Sequence, residues 1–127
     1  MFAKVLLLTS FLFGQAYLPE TAMIGNVSTN MPSGGGIWSF IPSGVTKMTI
    51  FVEAENTETV LFWLVPTGTQ TWGYRELIGY DKNGSDGWSL TWEFGNRRLH
   101  DHIHVQALGS DHSSQANDII NVVTELN

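Results

Sequence analysis

Apolar and polar residues alternate along most of the chain after residue 45, which is the pattern of strands that bury one face. Residues 47–54 alternate except that Phe51 shares the polar side, residues 88–94 alternate without a break, and residues 102–107 repeat the pattern. Residues 118–124 form a last apolar segment. Clusters of Gly, Asn and Asp separate these segments, and no stretch combines helical spacing with capping residues. The pattern predicts an all-β fold, an antiparallel β-sandwich.

One segment departs from this alternation. Residues 60–65 are apolar without interruption and are followed by Pro66. Such a run is typical of a strand covered on both faces. We expect Leu61 and Trp63 to lie opposite Phe62, on a face that needs a cover from this chain or from another molecule. Leu61 and Trp63 are therefore predicted assembly residues.

The first 18 residues form an apolar segment with two open interpretations. One positive charge, an apolar stretch and small residues before a cut after Ala16 are typical of a signal peptide. Alternatively, the segment is retained and inserted as a strand beside a sheet edge of the next subunit. It is too short for a membrane-spanning helix, which needs about 20 apolar residues. The predicted assembly residues of this segment are Val5, Leu6, Leu7, Leu8, Phe11, Leu12 and Phe13.

Residues 19–44 are interpreted as a connector rich in Gly and Pro that ends in a first strand. Three glycines at residues 34–36 form a flexible joint, and residues 37–41 are a short apolar run before Pro42. Residues 45–127 are then the sandwich. The length of the chain fits one domain with an extra segment.

The order of these segments resembles bacterial immunoglobulin-like domains over about residues 45–124. The chain shows an alternating strand ending in Glu-Ala, then Val-x-Phe-x-Leu, Leu-Ile-Gly-Tyr-Asp, Gly-Trp-Ser-Leu-Thr-Trp and His-Ile-His-Val-Gln-Ala-Leu. The matching positions are 52–54, 60–62, 77–79, 88–92 and 103–107. The resemblance implies an Ig-like sandwich of about seven strands, here with an N-terminal apolar extension. It also implies a role in spacing, adhesion or assembly, and no catalytic residues.

Composition narrows the classes of partner. The net charge is −6 with only six Lys and Arg, which argues against nucleic acid and against an anionic membrane surface. The chain has no Cys, so it has neither a disulfide nor thiolate chemistry. Charged residues make up only 14%, with Thr, Ser, Asn and Gly in their place. This suits a secreted or cell-surface protein, and no cofactor is expected.

A histidine series is the first candidate for chemistry. His100, His102 and His104 are spaced two apart, so a strand would place them on one side, where imidazoles can ligate zinc or copper. The alternative is a solvated strand face, or imidazoles stacked on Trp rings at a contact. At an interface, their protonation near pH 6 would make assembly depend on pH.

Aromatic residues are the second candidate. Trp63, Trp72 and Tyr74 could form a platform on which sugars stack, or they could fill a second core or a subunit contact. Ser, Asp and His occur side by side at residues 110–112, but a fold, rather than neighbouring turn positions, brings a catalytic triad together. We therefore expect no enzymatic activity.

These observations favour a non-catalytic structural subunit that assembles with copies of itself into an extracellular filament or surface layer by donating its N-terminal strand. The alternatives are a secreted adhesion or carbohydrate-binding module that has lost a signal peptide and binds a surface glycan, or a decoration or fibre protein of a virion.

Overall fold

The computed structural model describes residues 20–34 and 38–126. The predicted N-terminal segment, including Val5, Leu6, Leu7, Leu8, Phe11, Leu12 and Phe13, lies outside the described residues. The strands are β1 (Met23–Thr29), β2 (Trp38–Ile41), β3 (Lys47–Glu55), β4 (Thr57–Pro66), β5 (Glu76–Asp81), β6 (Trp88–Glu93), β7 (His100–Gly109) and β8 (Gln115–Thr124). Two three-residue 3-10 turns, Trp72–Tyr74 and Gly84–Asp86, flank β5.

The strands form two sheets packed as a sandwich, and the predicted all-β class is confirmed. The smaller sheet has the order β1-β3-β6, and the larger has the order β2-β8-β7-β4-β5. Neighbouring strands are antiparallel except β2 and β8, which run parallel. The described part of the chain thus contains eight strands instead of about seven, and one of its pairs departs from the predicted antiparallel arrangement.

The additional strand lies in the segment interpreted as a connector. β1 pairs with β3, and the register of the pair shifts at a bulge between Ile24 and Asn26. Ile24 and Val27 both pack against the core, although they are three residues apart. Because the bulge adds one residue, β1 lacks the alternation that identifies the other strands.

The core lies between the inner faces of the two sheets. The alternation predicted its positions correctly in β3 and β7, and the uninterrupted apolar run of β4 also buries every second side chain in the core. These residues are Met48, Ile50 and Val52 in β3, Val60, Phe62 and Leu64 in β4, and Ile103, Val105 and Ala107 in β7. Large side chains without solvent contact each contribute about 1.5–3 kcal/mol to folding.

Strand β4 has two apolar faces, as its sequence predicts. Phe62 is fully buried in the core, whereas Leu61 and Trp63 are half-buried on the opposite face. The cover over Trp63 comes from this chain, since Trp72 and Arg75 pack on its ring. Of the two sources of cover that the sequence left open, the structure therefore provides the intramolecular one for Trp63.

A search of residues 20–34 and 38–126 finds no helix with the length and apolar character needed to cross a membrane.

Candidate functional site

The outer face of the five-stranded sheet carries the residues that the sequence singled out for binding, and we call it the aromatic face. Alternation along β4, β5, β7 and β8 points one set of side chains out from this sheet, and the loop before β5 adds three more. The aromatic face consists of Leu61, Trp63, Trp72, Tyr74, Arg75, Leu77, Tyr80, His102, His104, Gln106, Asn117 and Ile119.

Exposed apolar area is concentrated on this face. Of the eight large hydrophobic residues that are exposed in the described part of the chain, five belong to it. They are Trp72 (39% exposed), Tyr74 (77%), Leu77 (46%), Tyr80 (57%) and Ile119 (39%). Leu77 and Tyr80 point out from β5 beside Trp63 and Leu61, and Trp72 packs on Trp63, so these exposed residues form one patch along the β5 edge. Contiguous patches of this kind mark interaction surfaces.

Trp63 and Trp72 come together in the centre of the aromatic face. Their ring centroids are 5.8 Å apart with the planes inclined at 64°, a preferred edge-to-face geometry. The guanidinium carbon of Arg75 lies 5.0 Å from the Trp63 centroid and 4.5 Å from the Trp72 centroid. Arg75 also donates from Nη1 to the carbonyl oxygen of Trp72 at 3.2 Å. The cation therefore holds both rings in place.

A row of amide side chains continues from Trp63 across β7 to β8. Trp63 Nε1 donates to Gln106 Oε1 at 3.2 Å, and Gln106 Nε2 donates to Gln115 Oε1 at 2.7 Å. These bonds satisfy the indole N–H, which a half-buried Trp requires. The row also orients polar groups beside the rings.

The three histidines of β7 do not form a ligand set. His100 packs its ring near that of Trp38, at 5.9 Å. His104 lies 4.6 Å from the Trp72 centroid, and its Nε2 is 2.9 Å from Asn117 Oδ1. Within the described residues, no group of three or more His, Cys, Asp or Glu side chains is arranged to hold a metal ion.

The structure does not bring His100, His102 and His104 together as a ligand set, and their metal site stays a prediction. Two of the imidazoles instead lie beside Trp rings, as the alternative interpretation proposed. Partial burial lowers the pKa of His102 from 6.5, the neighbouring His104 lowers it further, and Asp101 opposes both.

The Ser-Asp-His sequence at residues 110–112 lies in the loop between β7 and β8, where Asp111 and His112 have separate partners. Asp111 Oδ1 accepts hydrogen bonds from the backbone N–H of Ser113 and Ser114 and from Ser114 Oγ. The backbone bonds chiefly lower the pKa of Asp111 to about 2. The ring of His112 instead approaches Glu58, with Nδ1 3.4 Å from Oε2. The carboxylate thus shapes a turn and does not orient an imidazole toward a nucleophile.

The predicted stacking residues have different environments. Trp63 and Trp72 form one cluster, whereas Tyr74 projects into solvent. Arg75 and Gln106 were not identified from the sequence. Gln106 could have been found, because alternation places it on the same side as His104. Arg75 could not, since its position depends on the 3-10 turn before β5.

Comparisons with known proteins bear on the fold alone. No protein-family profile matches the chain, and no curated protein is significantly similar to it. A chain from the solved structure described as "Structural basis of T cell specificity and activation by the bacterial superantigen toxic shock syndrome toxin-1" has a similar fold, with a TM-score of 0.51 and 14% sequence identity. The match covers 79% of this chain and 98% of that chain.

Proposed function

We propose that the protein is a non-catalytic Ig-like recognition domain that acts outside the cell and binds an extended partner through the aromatic face. The observation that carries this proposal is the patch of exposed apolar residues along β5, beside a fixed Trp–Arg cluster. Leaving such a patch in water is unfavourable, and a bound partner would remove it from water.

The order of the strands supports the Ig-like assignment. In variable-type Ig domains, one sheet contains strands G, F, C and C′, and the other contains strands A, B, E and D. The sequence β8-β7-β4-β5 in the larger sheet and β1-β3-β6 in the smaller sheet follows that order. In the described part of the chain, no strand takes the position of strand D beside β6.

The shape and composition of the aromatic face favour an extended partner over a small molecule. Small-molecule sites are concave. A cavity of about 470 Å³ beside Trp88 lies away from this face, and one of about 300 Å³ between β1 and β8 reaches it only at Ile119. Trp, Tyr and Arg are the residues that dominate binding energy at interfaces. A glycan chain or a protein surface therefore fits best.

The proposal can be tested by NMR of the full chain. Backbone amide shifts would be recorded during dilution, and then during titration with soluble cello- and chito-oligosaccharides. We expect at least one series to shift the signals of β4, β5 and β7 residues on the aromatic face. Leu77→Ala should weaken the response to the oligosaccharides, and Phe51→Ala should leave that response unchanged, since Phe51 has the same 46% exposure on the other sheet. Shifts confined to other surfaces would contradict the proposal.

The free sheet edges support a second candidate function, assembly by donation of residues 5–13 as a strand. β5 pairs only with β4, and β6 pairs only with β3, among the described strands. The side chain of Asp81 accepts a hydrogen bond from the Ser89 backbone N–H at 3.0 Å. This carboxylate therefore covers one position of the β6 edge. Such edges accept added strands. Deleting residues 1–18 should then abolish polymers, and an intact mass starting after residue 16 would contradict this candidate.

A further inference from the structure

The two outer faces of the sandwich differ in charge. No Asp or Glu occupies a paired position of β4, β5, β7 or β8 that points out on the aromatic face, and Glu58, at the bulge of β4, lies against His112. Arg75 lies over its Trp pair, and Lys82 Nζ lies 5.6 Å from the centroid of the Tyr80 ring. This face is therefore locally cationic in a chain whose net charge is −6.

The outer face of the three-stranded sheet has the opposite character, and we call it the acidic face. Its outward residues are Met23, Asn26 and Ser28 in β1, Lys47, Thr49, Phe51, Glu53 and Glu55 in β3, and Ser89, Thr91 and Glu93 in β6. Lys47 lies opposite Glu93 in the strand register, so the charges of these two residues cancel. Glu53 and Glu55 leave the acidic face with an excess of negative charge.

The acidic face also exposes apolar side chains. Phe51 is 46% exposed and Met23 is 55% exposed. Phe51 lies between Ser28 and Ser89 of the neighbouring strands, so its ring stands above short side chains. The acidic face thus offers a protruding apolar group next to carboxylates, and the aromatic face offers exposed rings next to cations.

We infer that the partner of the aromatic face is the acidic face of a second copy of this chain. The contact would bring Arg75 and Lys82 of one copy toward Glu53 and Glu55 of the next, with Phe51 against the exposed rings. Opposite charge steers such faces together and determines their orientation. The inference rests on the proposed role of the aromatic face and names its partner.

The alternative of two aromatic faces in contact is disfavoured by the same charges. A symmetric pair would place Arg75 and Lys82 of both copies in one interface, and like charges in contact cost free energy. A front-to-back contact uses different surfaces on the two copies and leaves one of each free at the ends. It therefore continues to further copies and produces a linear assembly.

Two face-blocking variants test this arrangement in sedimentation velocity experiments on the full chain. Leu77→Glu places an acidic group on the aromatic face, and Phe51→Lys places a cation on the acidic face. The two positions have equal exposure, so the variants are matched. Each variant alone should lose self-association by about tenfold or more in dissociation constant, and should retain the melting temperature of the wild type.

Mixing the two variants gives the decisive result. The intact acidic face of Leu77→Glu can still bind the intact aromatic face of Phe51→Lys, so an equimolar mixture should form one-to-one dimers that do not grow. Raising the salt concentration should weaken these dimers, because charge contributes to the contact.

Three outcomes would overturn the inference. If the wild type stays monomeric at all concentrations, no second copy is the partner, while oligosaccharide shifts on the aromatic face would still support the proposed function. If only Leu77→Glu blocks assembly, the aromatic faces bind each other. If neither variant has an effect and deletion of residues 1–18 does, assembly proceeds by strand donation.

Discussion

Gly79 of β5 and Leu90 of β6 lie in contact across the two sheets, where a Cβ atom on Gly79 would be 2.5 Å from Leu90 Cδ1. Gly79 is paired with Phe62, which points into the core, so the missing side chain leaves room for Leu90. The contact closes the sandwich beneath the patch on the aromatic face. The shape of this edge thus depends on one glycine.

Gly79→Ala should destabilise the fold by about 1–3 kcal/mol, because the new methyl group overpacks the contact with Leu90. Urea denaturation would measure the change. Gly73→Ala is the control, since nothing lies within 4 Å of a Cβ atom there. Leu90→Ala should reduce the cost of Gly79→Ala in a double-mutant cycle. Equal effects of Gly79→Ala and Gly73→Ala would contradict the prediction.

Arg75→Ala should loosen the Trp63–Trp72 pair, because the guanidinium lies over both rings. We expect shifts and broadening of the two indole N–H signals in NMR spectra, and a loss of stability of about 0.5–1 kcal/mol. Arg98→Ala, in the exposed turn before β7, serves as the control. Unchanged indole signals in Arg75→Ala would show that the guanidinium does not hold the rings.

Asp111 should titrate far below its ordinary pKa of 3.8, at about 2. Because its folded pKa is depressed, its contribution to stability is present above pH 3.8 and is lost as the pH falls through 2. NMR of the side-chain carboxyl would give the value. Ser114→Ala should raise the pKa only slightly, since the two backbone N–H donors remain. A value near 3.8 in the wild type would be inconsistent with this turn.

The pKa of His102 should respond in opposite directions to its two charged neighbours. Burial is the largest effect and lowers the pKa of His102, His104 lowers it further, and Asp101 raises it. His104→Gln should therefore raise the pKa of His102 toward 6.5, and Asp101→Asn should lower it, as read from the imidazole Cε1–H shift. In the wild type, the unfolded chain binds this proton more readily, so stability falls as the pH drops below 6.5. A shift of the His102 pKa in the same direction in both variants would contradict the opposite effects of His104 and Asp101.

Most of the core could be predicted from local pattern. Met48, Ile50 and Val52 are buried where the alternation of β3 places them, and Phe62 and Trp63 lie on opposite faces of β4. The reason is geometric, since successive side chains of a strand point to opposite faces whatever the strand pairs with. The candidate site was found only in part: its Trp residues were identified, but the position of Arg75 depends on the 3-10 turn before β5.

Periodicity and turn residues were enough to determine the all-β class and the apolar, core-facing sides of β3, β6 and β7. Tertiary structure alone decided that β1 is a strand despite its bulge, that β2 runs parallel to β8, and that Arg75 lies over two Trp rings. These features depend on pairing between segments far apart in the chain. The periodicity of a segment predicts which side of that strand faces the core, but it does not predict which other strand pairs with it.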